Sequence, residues 1–155
     1  MTRSAFMKRD WLVAGLGAGI VSGITLAIFA AIADTRAGQP PDSTYAFLSA
    51  CVGGTAFGAS PAAVPAGVAV LFAATLLWAF GYVYAAHHQS QLLSRPLISG
   101  AGFGVIVWFV MQVVLVGAGH FTPPNIYTFD RDMVGFIVFF GMPLALTASR
   151  LLRTR

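Results

Sequence analysis

Gln112 is the most polar side chain inside any apolar run of this chain, and Trp108 stands four residues before it. On a helix that spacing puts the indole and the amide on one face. A flat ring beside a neutral donor–acceptor group suits the holding of an apolar or neutral molecule, so Trp108 and Gln112 are the ligand-binding candidates. An amide in hydrocarbon needs a partner. A bond to a neighbouring helix is the ordinary expectation, with water or a ligand headgroup as the alternatives.

The other residues with chemical potential do not assemble. His87 and His88 end one apolar run and His120 ends the next, so the ~30 Å thickness of a bilayer core separates them. One chain cannot bring all three to a common metal, and a bis-histidine haem would need two histidines at depth. Cys51 is the only cysteine, which excludes an intrachain disulfide and a thiolate-rich metal site. Gly15-Leu16-Gly17-Ala18-Gly19 hints at a dinucleotide loop, but Ile20 occupies the place of the third glycine and no strand precedes it. Apart from Asp132 and Arg150 at the two ends of the last, no Asp, Glu, Lys or Arg falls inside a predicted span, where pumps and ion-coupled carriers keep such groups. No nucleophile stands with a base and an orienting acid at one depth. The expectation is a protein with no catalytic residue, no metal site and no cofactor, and not an enzyme.

Hydrophobic residues make up 57% of the 155 and charged residues 9%, with a mean hydropathy of +0.79. Soluble domains carry about 25% charged residues, so this chain lacks the polar surface to cover a water-facing globule. The net charge of +4 lies at chain ends and connections rather than in a stripe, and no nucleic-acid motif accompanies it. The partner it points to is a lipid bilayer, with no role for nucleic acid.

The predicted fold is an all-α membrane protein, a four-transmembrane-helix bundle forming one domain, with spans at about 11–32, 61–86, 96–117 and 132–152. The first run, Trp11 to Ile32, is 22 residues long, against the ~20 a bilayer core requires. Ala31-Ile32-Ala33 resembles a signal cleavage site, but signal h-regions are about 7–15 residues, so a retained helix is expected. Ser60 and Pro61 offer an N-cap and a first helical residue for the second span. Residues 43–57 are too short to cross fully, and Gly53-Gly54 favours close packing or a bend. A short additional helix dipping into the bundle is expected there, with a full fifth span as the alternative. Pro143 removes the hydrogen bond to the Phe139 carbonyl and predicts a kink in the last span. Seven basic residues (Arg3, Lys8, Arg9, Arg95, Arg150, Arg153, Arg155) fall on one side and two, Arg36 and Arg131, on the other. That asymmetry places both termini and the His87 connection in the cytoplasm, as in a bacterial inner membrane. Trp11, Tyr82 and Tyr84 then fit the inner aromatic belt, and Tyr45 and Tyr127 the outer one.

Gly15, Gly19 and Gly23 recur every fourth residue, and Gly100 and Gly104 repeat the pattern. Small residues at this spacing let helix backbones meet in lipid. These five are the helix-packing candidates, with the contact open between one chain and two. The leading expectation is a non-enzymatic accessory or scaffold subunit that packs against other membrane subunits or itself. The alternative is a binder or carrier of an apolar or neutral molecule such as a lipid, quinone or carotenoid.

Gly53-Gly54-Thr55-Ala56-Phe57, the run Leu77 to Tyr84, Arg95-Pro96-Leu97-Ile98-Ser99-Gly100 and Gly141-Met142-Pro143-Leu144-Ala145-Leu146 together resemble a group of small uncharacterised bacterial inner-membrane proteins with about four spans. The resemblance covers about two thirds of the chain and implies topology and no reaction. In that group a histidine occurs inside the second span and another early in the fourth. Leu71 and Phe136 stand in those places here, which implies that an activity carried by those histidines is lacking.

Overall fold

The structure is a computed structural model describing residues 3–89, 91–117, 119 and 126–153, with the side chains of 3–9, 126–130 and 153 outside the description. Every regular element among these residues is helical: α1 (Arg3–Arg36), α2 (Ser43–Gly53), α3 (Thr55–Gly58), α4 (Ala63–His88), α5 (Gln91–Ser94), α6 (Pro96–Gly117), α7 (Ile126–Gly135) and α8 (Met142–Arg153), the last two joined by a π-helical segment, Phe136–Gly141. Four stretches are long and apolar enough to cross a membrane: Asp10–Arg36, Ala63–His88, Pro96–Gly117 and Arg131–Leu152. The chain is an all-α four-helix membrane bundle.

Several boundaries differ from the sequence expectation: helix is already present from Arg3 and from Ile126, and two further ends have a local reason. No breaker follows Ile32, so α1 continues to Arg36; Gly38 ends the run in the left-handed region (φ 72°). The second span begins at Ala63 rather than Pro61. Ser60 is not its cap: its carbonyl accepts the Ala63 N–H at 3.0 Å in a turn, and its hydroxyl has no partner. Pro65 takes the first-turn place, where a missing N–H costs nothing.

The spans run alternately up and down. Gly15 lies against Phe80 and Gly23 against Phe72, so α1 and α4 are antiparallel. Gly100 lies against Gly141 and Gly104 against Phe136 and Ile137, so α6 and the last span are antiparallel too. Gly17 meets Leu151 and Gly135 meets the Phe29 ring, which sets the last span antiparallel to α1. All five packing candidates therefore lie against helices of their own chain. A Cβ at Gly19 would stand 2.7 Å from Leu76, and one at Gly104 2.7 Å from the Phe136 carbonyl oxygen.

The α4–α6 side is closed differently, by large side chains. Phe103 meets Trp78 and Tyr82 edge-on, at ring separations of 6.1 and 5.1 Å. Tyr82, expected in an interfacial belt, is instead 1% exposed. Its hydroxyl lies 2.8 Å from Ser99 Oγ, and the Ser99 hydroxyl stands 2.8 Å from the Leu92 carbonyl.

Residues 43–57 form two pieces rather than one helix. Gly54 (φ 84°) breaks them apart, and α2 lies on α4. The contact is close enough that the Tyr45 carbonyl occupies the space of a Gly67 side chain. Asp34, at the end of α1, fixes the start of α2: its carboxylate accepts the Thr44 backbone N–H at 2.9 Å and the Thr44 hydroxyl at 3.0 Å. Tyr45 turns inward and donates to the Ala27 carbonyl at 2.8 Å. α2 is thereby tied to two spans along its length.

Pro143 is preceded by a widened turn. The Met142 N–H reaches back five residues to the Ile137 carbonyl, a π register. In α register the Phe139 carbonyl would receive the N–H that Pro143 lacks. Thr25 on α1 hydrogen-bonds that carbonyl instead, and the Phe29 and Phe139 rings stack 4.9 Å apart beside it.

Candidate functional site

Beyond the glycine contacts the four spans line a cavity of about 290 Å³. Its walls come from the last third of α1, the middle of α4, the second half of α6 and the first half of the last span, with α2 along one side. The cavity therefore occupies the half of the bundle away from the termini. Trp108 is 4% exposed and Gln112 is half-buried; both line it. Gln112 sits five residues before the end of α6, about 7–8 Å along the axis at 1.5 Å per residue. Trp108 is one turn deeper, about 14 Å from that end and near the middle of a ~30 Å hydrocarbon core.

The lining is graded. At the deep end Leu26, Trp78, Val107 and Phe140 close the floor. Leu71 and the rings of Phe29 and Phe136 lie above them, and Asp34, Arg131 and Asp132 stand at the rim. The rim charges are engaged locally: Asp34 with Thr44, and Arg131 with Asp132 at 3.0 Å. Thr75, 3% exposed, uses its hydroxyl on the Phe72 carbonyl at 3.0 Å. Gln112 differs from all of these. Among the described residues its amide makes no hydrogen bond. The expected interhelical partner is not supplied, because the glycine contacts have already ended at this depth and the α4 wall presents rings and methyl groups.

Sequence reasoning missed α2's part in the wall. Phe47 and Leu48 line the cavity because Asp34 and Ala27 hold α2 there. The available signal was Asp34 itself, an acid closing an apolar helix ten residues before a threonine. Leu71 and Phe136 both face the same cavity.

The remaining candidates lie elsewhere. His87 and His88 are exposed, with rings 5.5 Å apart, and His88 Nδ1 is 3.0 Å from the Tyr84 carbonyl. His120 and the belt residue Tyr127 fall outside the described side chains. Among the described residues no three His, Cys, Asp or Glu side chains converge as a metal site would require. Cys51, on α2, is partly covered, and burial pushes its thiol pKa up. Tyr45 is also raised, first by burial and then by the negative charge of Asp34. Neither shift creates a nucleophile, since both hold the group in its neutral form.

Compared with known protein families, curated proteins and solved structures, the chain matches none.

Proposed function

We propose that this membrane protein binds or carries a small apolar or neutral molecule in the cavity beside Trp108 and Gln112. One observation carries the reading: a space of about 290 Å³ inside the bundle, lined by rings and by an amide that the protein's described residues leave unengaged. Ligand pockets begin near this size, at about 300 Å³, and combine apolar walls with a few placed polar groups. An accessory role drew its support from the glycine strips. Those glycines lie against α4 and the last span of the same chain, so they offer no small-residue strip to a partner.

The experiment is gentle purification followed by native mass spectrometry and extraction. A stoichiometric small molecule, lost when Val107→Trp fills the cavity, is the expected result. A chain that repeatedly carries nothing, and takes up nothing from added membrane lipid extract, removes the proposal.

We further place the protein in a bacterial inner membrane with both termini cytoplasmic, on the strength of the seven-to-two division of basic residues. The cavity rim then faces the periplasm. In a Cys51→Ser background, a cysteine introduced beside Gln39 should react with a membrane-impermeant maleimide in intact cells, and one introduced after Arg155 should not. The reverse pattern overturns the orientation.

A further inference from the structure

Resting on the reading that the cavity holds a small molecule, its polar groups narrow the class of that molecule. The charged groups lining it stand only at the rim and are engaged there: Asp34 with Thr44, Arg131 with Asp132. Below the rim the wall is neutral, so a charged group would lose its hydration with no counter-charge to meet it. Below the rim the wall's polar side chains are Thr75, whose hydroxyl donates to the Phe72 carbonyl, and Gln112. The Gln112 amide presents two N–H donors and a carbonyl acceptor and, among the described residues, makes no hydrogen bond.

Three occupants are chemically distinct. A saturated acyl chain would fill the space and leave the amide's donors and acceptor unpaired in hydrocarbon, a penalty of about 1–3 kcal/mol. Water has room, since about 290 Å³ holds roughly ten molecules at ~30 Å³ each. Each buried water needs two to four polar partners, and the wall below the rim is dominated by Phe29, Trp78, Trp108, Phe136 and Phe140. A flat neutral ring carrying a carbonyl or hydroxyl satisfies both demands. Its oxygen meets the amide, as acceptor or donor, and its faces lie against aromatic side chains in offset or edge-on contact.

The geometry points to a neutral oxygenated ring, of the quinone, quinol or phenol class, bound ring-first with its oxygen on the Gln112 amide and any apolar tail trailing toward the rim. The tail's direction follows from the closed floor formed by Leu26, Trp78, Val107 and Phe140.

The test compares two probes of the same shape on the full-length wild-type chain in a fixed amount of mild detergent. Decyl-benzoquinone is titrated against tryptophan emission, and decylbenzene, which lacks the oxygens, is added as competitor. Saturable quenching at one quinone per chain, with decylbenzene competing at least about five-fold more weakly, is expected from the loss of one hydrogen bond. Gln112→Leu, checked for an unchanged melting profile, should weaken the quinone about five-fold and leave decylbenzene unchanged. Equal competition by the two probes, or no effect of Gln112→Leu on the quinone, overturns the ring-oxygen assignment while leaving a cavity binder in place. Absence of saturable binding by either probe, together with no co-purifying molecule, removes the parent reading as well.

Discussion

Thr25→Val should destabilise the bundle by an amount that depends on a residue far away in sequence, Pro143. The Thr25 hydroxyl has a single hydrogen and three carbonyls in reach: Val21 and Ser22 in its own helix, at 3.0 and 3.1 Å, and Phe139 across the interface. The first two already belong to α1's helical hydrogen-bond ladder, so losing the hydroxyl costs them little. The Phe139 carbonyl is different, because Pro143 cannot supply the donor that an α-helix would place there. Side-chain hydrogen bonds in membranes average about 0.6 kcal/mol and reach about 1.7. A carbonyl that lacks its α-register donor belongs in the upper half, so the expected cost is about 1–1.5 kcal/mol. Valine matches threonine in shape, which keeps packing nearly constant. In a Pro143→Ala background the restored N–H can serve the Phe139 carbonyl, and Thr25→Val should then cost less than about 0.5 kcal/mol. The coupling of about 1 kcal/mol exceeds the ~0.3–0.5 kcal/mol within which independent sites add. The assay is reversible unfolding in mixed micelles of increasing SDS fraction, followed by tryptophan emission, on the four proteins of the cycle. Equal costs of Thr25→Val in the two backgrounds would refute the assignment of Thr25 as the substitute donor.

Other consequences of the packing are open to measurement. Gly67→Ala places a methyl group in the space of the Tyr45 carbonyl, so α2 must move; overpacking of this kind costs about 1–3 kcal/mol, and cleavage by a protease between residues 43 and 58 should accelerate. Asp34→Ala removes both bonds to Thr44 and should loosen the same segment, read as faster amide exchange at Thr44 and Tyr45 with the far half of α4 unaffected. Tyr45 has its pKa raised above the ordinary phenol value near 10, so the undocked phenol ionises first. The docking stability it contributes is full below about pH 10 and declines as pH climbs through the raised native value; Tyr45→Phe should flatten that decline in the same proteolysis assay.

The sequence carried the spans and the contact faces but not the pairing of those faces. Runs of apolar residues longer than a bilayer crossing leave little freedom, and four stretches of the structure are long and apolar enough to cross a membrane. Their rotation was hidden, because α4 and α6 are apolar on every side. In lipid the buried face is not the more hydrophobic one. Leu77, 72% exposed, and Ile98, 68% exposed, would pass for core residues in a water-soluble protein. Glycine spacing marked which faces meet, yet a strip reads the same whether its partner is the next helix or a second chain. Gln112 was legible as a residue needing an explanation. That its neighbours supply no partner depends on where α2, α4 and the last span lie, which is tertiary information. The π segment was half legible: Pro143 announced a disturbed ladder, but the widening one turn earlier requires knowing that Thr25 stands opposite Phe139.

The cavity follows from where the small residues stop. On α1 the last contact glycine is Gly23, and the cavity wall begins at Leu26; on α6 the last is Gly104, and the wall begins at Val107. In the glycine half, the Gly100 and Gly141 main chains are in direct contact, and the α1 glycines make room for the Phe80, Leu76 and Phe72 side chains of α4. One turn further on, Leu26, Phe29, Trp108 and Met111 stand in the place of the glycines and line the cavity. α2, too short to cross the membrane, lies on α4 and walls the cavity's side, held by Asp34 and by the Tyr45 hydroxyl on Ala27. The glycine strips and the Trp108–Gln112 pair, read from the sequence as separate features, are thus two ends of one arrangement: the first closes one half of the bundle, and the second lines the space in the other.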